Sequence, residues 1–202
     1  LSTVADAHEI VVLADGQVWV NGGSQTHNSL RDAAYHSETW NPATGSWTRG
    51  ASTTKARLYH STSIMLTDGS VLTGGGGANG PVQQFNGEVS FPPYLFRKDG
   101  SGRFARRPLI ASAPAQAAWN EAYAFRMSND AAISRVTLVR TGSVTHSYNN
   151  EDRFFDLPFV QTGNGVRVTM PALRNVAPPG FYMLFAFNAY GVPSLAKVLQ
   201  LL

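Results

Sequence analysis

Histidines and tyrosines are the residues in this sequence whose types and spacing suggest chemistry. The histidines are His8, His27, His36, His60 and His146, and there is no cysteine. His60 follows Tyr59 in Arg57-Leu58-Tyr59-His60-Ser61, and His146 lies in Gly142-Ser143-Val144-Thr145-His146-Ser147-Tyr148. Taken singly, each histidine reads as an exposed or hydrogen-bonded structural residue. Imidazole suits copper, zinc, iron and nickel, and a phenolate oxygen beside it favours a tetragonal N,O site for Cu(II). Neighbouring residues on an extended strand point to opposite faces, so Tyr59 and His60 reach one ion only if the backbone is irregular there.

Several other patterns have structural readings. Without cysteine, disulfides, zinc-thiolate sites and thiol nucleophiles are excluded within the chain. The Gly74–Gly77 run has no Lys-Ser/Thr and no following helical pattern, so it reads as a strand end and not a phosphate loop. Glu151 and Asp152 are adjacent and diverge on extended backbone, which favours solvated turn residues over a glycosidase acid/base pair. Trp19, Trp40, Trp47 and Trp119 read as packing residues.

The elements that must position these residues are β-strands. Of 202 residues, 43% are hydrophobic and only 14% charged, with 19 glycines and 11 prolines, a balance that suggests a β-rich globular chain. A repeat is visible: Val11-Val-Leu-Ala-Asp-Gly16 through Gly23 matches Ile64-Met-Leu-Thr-Asp-Gly69 through Gly76. Asp15-Gly16 and Asp68-Gly69 predict two-residue hairpin turns, and their 53-residue offset is close to the kelch period. Residues 8–50 predict the four strands of one propeller blade, and residues 60–91 a second. A closed propeller typically has 4–8 blades, so most of a ring lies outside this chain.

Beyond Pro92-Pro93 the pattern changes to seven or eight short strands, among them 143–148, which fit an immunoglobulin-like β-sandwich. The division is therefore 1–94, kelch blades, and 95–202, sandwich. Arg97, Lys98, Arg103, Arg106 and Arg107 cluster in a Gly/Ser-containing stretch read as a solvated linker, with no nucleic-acid partner. No apolar run has the length of a transmembrane segment, and the first residues carry no signal-peptide pattern.

Arg57-Leu-Tyr-His-Ser61 running to Gly77 resembles the copper-binding blade of the galactose oxidase and glyoxal oxidase family. Pro93-Tyr-Leu-Phe96, Arg107-Pro108, Thr145-His-Ser147, Asp152-Arg153, Ala177-Pro-Pro-Gly-Phe-Tyr-Met-Leu-Phe185 and Gly191-Val-Pro-Ser194 resemble its C-terminal domain in the same order. The resemblance implies an all-β fold of kelch propeller blades followed by an immunoglobulin-like early-set sandwich. In that family a sandwich hairpin carries a histidine into the propeller channel, and His146 matches it. His60 is implied as the second imidazole ligand, and Tyr59 as axial ligand and proton acceptor from the substrate.

The implied activity is that of a copper radical oxidase, which oxidises a small alcohol or aldehyde, with glyoxal-type aldehydes favoured, and reduces O2 to hydrogen peroxide. The family's protein-derived Tyr-Cys radical is expected from upstream blades, so the chain alone is expected to be inactive. A secreted or cell-surface location is also implied. The alternative is a non-catalytic kelch and immunoglobulin-like protein that binds glycans or cell-wall polymers.

Overall fold

The computed structural model describes residues 6–80, 82–146 and 148–202, with side chains from residue 9 onward. It is all-β, with eighteen strands, one 3-10 turn at Pro93–Leu95 and no α-helix among the described residues. Two compact units form. The first takes the chain up to Leu66, Ser70–Ser90 and Gly142–Asp152; the second takes Thr67–Gly69, Phe91–Thr141 and Arg153–Leu202.

In the first unit β1 (Asp6–Val12), β2 (Val18–Ser24), β3 (His36–Asn41) and β4 (Ser46–Ser52) form one antiparallel sheet in chain order. A second antiparallel sheet holds β5 (Ser61–Met65), β6 (Val71–Gly75) and β7 (Gly87–Ser90). These sheets follow the two copies of the sequence repeat.

The first Asp-Gly turn differs from the expected two-residue form. Leu13 N donates to Gln17 O at 2.8 Å and Gly16 N to Leu13 O at 2.9 Å, which leaves a three-residue loop, Ala14 to Gly16. Gly16 has φ +84°. This is the hairpin in which a turn is followed by one left-handed residue, so glycine is needed at a single position.

The second unit begins with β8 (Ile110–Ser112), β9 (Gln116–Ala117), β10 (Ala122–Met127) and β11 (Ile133–Arg140). The next strands, β12 (Val144–Thr145) and β13 (Tyr148–Asn149), form a hairpin that belongs to the first unit. Residues 143–148 are therefore not the single sandwich strand that alternation suggested. The chain then supplies β14 (Phe154–Asp156), β15 (Phe159–Thr162), β16 (Gly165–Thr169), β17 (Gly180–Asn188) and β18 (Lys197–Leu201) to the second unit.

Two sheets, ordered β15-β16-β10-β8 and β14-β11-β17-β18-β9, enclose one core that includes Phe125, Leu138, Val168, Leu184 and Leu199. Strand β10 alternates exposed and buried residues along its length, as a strand with one face on a core must. On β17, Tyr182 to Phe187 are all buried.

The basic stretch is not a simple solvated linker. Phe96 bridges Phe104 with stacked rings 4.9 Å apart, and Phe91 meets Phe104 edge-on at 5.3 Å. Arg107 is half-buried, its Nε donating to Pro193 O at 2.8 Å and an Nη to Ser194 O at 2.7 Å. Aromatic pairing and these carbonyls give the segment a fixed path that its composition does not reveal.

Candidate metal centre

Tyr59 and His60 occupy a turn that feeds β5. Ser61 N donates to Leu58 O at 2.9 Å, which closes a four-residue turn with Tyr59 and His60 at its centre. His60 has φ +66°, while Tyr59 is not among the positive-φ residues. A positive φ at the third turn position alone is the type II pattern, normally filled by glycine or asparagine. The irregularity that lets neighbouring side chains share a site is therefore present at His60. The two rings stack, with centroids 3.9 Å apart and planes inclined by 28°.

The first unit holds this turn closely. Gly77 N donates to Tyr59 O, and Gly23 N to Arg57 O, each at 2.7 Å. Gly76 sits at φ +111°, and a Cβ added there would lie 3.0 Å from Leu58 N and from Ser61 Cβ. Ser61 is buried and donates its hydroxyl to the buried Glu9 of β1.

Arg57, 0% exposed, extends beneath the same segment. Its Nη groups donate to Gly75 O at 3.0 Å, Asn86 O at 3.1 Å and Asn86 Oδ1 at 2.7 Å, and form an ion pair with Glu88 at 2.8 Å. Glu88 also accepts from Thr54 N at 2.8 Å and Thr54 Oγ1 at 2.7 Å. Desolvation pushes the Glu88 carboxyl up, but the hydrogen bonds from Thr54 and Arg57 outweigh it and hold the group below its usual range.

His146 reaches the same place from the β12–β13 hairpin. Thr145 pairs with Tyr148, and His146, which follows Thr145 at the hairpin tip, has φ +51°, a left-handed value of the kind primed hairpin turns use. Asn149 fixes the hairpin base by accepting from Ser143 N at 3.0 Å and Glu151 N at 3.1 Å while donating to Asp152 Oδ1 at 2.7 Å. Glu151 and Asp152 therefore serve the turn. The His146 ring meets that of His60 edge-on, with centroids 4.8 Å apart and planes at 75°.

All three sequence-selected residues thus form one chain of ring contacts, Tyr59 to His60 to His146. His27 joins it, its ring centroid 5.5 Å from that of Tyr59. Sequence reasoning did not single it out; it lies just beyond β2, whose Gly23 N donates to Arg57 O of the segment that carries the Tyr-His turn.

His146 Nδ1 lies 2.6 Å from Thr145 Oγ1. With Nδ1–H donating to that hydroxyl, the lone pair of Nε2 is left for a metal. Among the described residues no group of three or more His, Cys, Asp or Glu is placed to hold an ion. The groups brought together here are two imidazoles and a phenol, a set of the kind that a tetragonal N,O copper site takes. Both histidines hold positive φ, which costs a non-glycine residue about 1–3 kcal/mol and persists where surrounding structure enforces it.

Comparison with known proteins shows what the chain is similar to. Residues 107–201 match the family described as galactose oxidase-like, early set domain, so the sandwich is an early-set domain of that kind. The chain is homologous to galactose oxidase: one from Gibberella zeae is 32% identical over 96% of this chain and 29% of its own length. An aldehyde oxidase GLOX from Vitis pseudoreticulata is 31% identical over 73% of the chain and 30% of its own length. A fungal alcohol oxidase solved in complex with copper matches with a TM-score of 0.89 and 34% identity, covering 96% of this chain and 42% of that one. The chain spans under a third of the length of these curated relatives.

Proposed function

We propose that this chain is the C-terminal part of a copper radical oxidase, and that Tyr59, His60 and His146 are its share of the metal site. The observation that carries this reading is the ring contact of His146 with the Tyr59-His60 turn. Residues 1–94 are read as the last kelch blades and 95–202 as the sandwich.

His60 and His146 would hold copper through ring nitrogens, with Tyr59 Oη as a further donor. Copper, paired with a Tyr-Cys radical from an upstream segment, supplies two-electron chemistry that couples substrate oxidation to reduction of O2 to hydrogen peroxide. Tyr59 Oη takes the proton of the substrate hydroxyl. Thr145 holds the His146 ring in the tautomer and orientation that present Nε2. The relatives' names, galactose, aldehyde and alcohol oxidase, support a small alcohol or aldehyde as substrate, and glyoxal-type aldehydes are favoured by the likeness of the Tyr59-His60 and Thr145-His146 stretches to the glyoxal oxidase branch. We place the complete protein outside the cell, in keeping with that family.

The test is peroxide production by a polypeptide extended with the upstream segment, loaded with copper and offered galactose, methylglyoxal and simple primary alcohols. Copper-dependent peroxide from at least one of them, lost in His60→Ala, is the expected result. Copper binding without turnover on any carbonyl or alcohol would overturn the oxidase reading.

A further inference from the structure

A cleft of about 900 Å³ lies wholly within the second unit, between the basic stretch and the sandwich. Pockets for small molecules run from roughly 300 to 1,000 Å³. Its lining mixes cations with apolar surface. The 96–109 side brings Arg97, Lys98, Arg106 and Arg107 beside Phe96, Pro108 and Leu109. The 127–132 and 188–192 side brings the exposed Ala131, Ala132 and Ala189, with Tyr190 at 77% exposure, among the polar Ser128, Asn129 and Asn188.

Asp99 is the carboxylate on this lining, set against those four cations. Hydrogen bonds from Ser101 hold Asp99 below its usual range, and the Arg97 charge adds to them. Lys98 Nζ reaches Pro93 O at 3.3 Å. Arg107 is half-buried against backbone carbonyls, so desolvation lowers its pKa, partly countered by Asp68 and Tyr94. A cation held in this way gains from an anion brought close. Arg97 and Arg106 are exposed at the cleft.

We propose that this cleft is a binding site for an amphipathic carboxylate, an apolar chain or ring ending in one carboxylate. The cations receive the acid group and the apolar part of the lining receives the body. A polyol or a polyanion would leave the apolar surface unmatched, and a neutral hydrocarbon would leave the cations unmatched.

Octanoate is a suitable probe, with octan-1-ol as its uncharged counterpart, titrated calorimetrically into the 202-residue chain. Octanoate is expected to bind saturably and about tenfold more tightly than the alcohol, as a charge-assisted hydrogen bond provides, and to weaken with added salt. Arg97→Gln with Arg106→Gln should bring octanoate down to the alcohol's affinity. Ala189→Trp, a change at an exposed position, should fill the cleft and remove binding of both probes while the thermal melt stays in place. If the double variant does not fold, each single arginine variant should show part of the loss. Equal affinity for acid and alcohol, or full binding in Ala189→Trp, would overturn the proposal.

Discussion

The His146 imidazole meets the His60 imidazole edge-on at 4.8 Å although the two are brought in by separate elements, one by a hairpin and one by a turn before β5. Both stand on left-handed backbone. The contact therefore depends on two local conformations that non-glycine residues rarely adopt, and on the packing that holds each in place.

Gly76 is one such support. Alanine there would combine an unfavourable φ of +111° with contacts of 3.0 Å to Leu58 N and Ser61 Cβ. Gly76→Ala should lower the stability of the first unit by more than about 1 kcal/mol and weaken copper binding with it. Denaturant titration alongside a copper titration checks both, and Gly45→Ala, whose added Cβ meets nothing within 4 Å, is the control for backbone strain alone.

The Arg57–Glu88 pair gives stability a defined pH dependence. The folded-state pKa of Glu88 is depressed below 4.5, so its contribution is present above the unfolded value and disappears as pH falls through the lower folded value. Thermal melts of the wild type and Glu88→Gln should differ most at neutral pH and converge as pH falls through the depressed folded-state value. A difference independent of pH would mean that the carboxylate charge is not what Arg57 requires.

Thr145→Val keeps shape and removes the hydroxyl beside His146 Nδ1. Copper affinity should fall by about 10–100-fold, as is usual when the partner of a ligand histidine is lost, with the fold intact by circular dichroism. Thr145→Ser should restore most of it.

Much of the fold was legible in the sequence because its signals are local. Asp-Gly pairs between alternating apolar runs located the hairpins, and the paired glycines that close β2 and β6 marked the repeat. The Tyr59-His60 pair was legible as a pair, and the need for irregular backbone followed from strand geometry. That His60 itself takes the positive φ did not follow, since that turn position is normally filled by glycine or asparagine. Membership of residues 142–152 in the first unit was not legible from strand patterning and was implied only by the resemblance, because it depends on long-range packing such as that of Gly142 on Ile64. Arg57 and Arg107 read as charges, yet both are drawn inward by carbonyl oxygens contributed by distant residues.

Tyr59→Phe separates a ligand from a base. In the polypeptide extended upstream and loaded with copper, turnover should fall by about 10²–10⁴-fold, the usual contribution of general base catalysis. Copper affinity should change little, because the two imidazoles remain. Unchanged turnover would send the proton elsewhere, and loss of copper would make the phenol an essential ligand.

The central claim is that His60 and His146 together bind copper, and a Cu(II) titration of the 202-residue chain followed by electron paramagnetic resonance tests it most directly. The wild type should show coupling to two imidazole nitrogens. His60→Ala and His146→Ala should each show one, with affinity reduced by at least about 10–100-fold. A signal and affinity unchanged in either variant would contradict the claim and remove that histidine from the site.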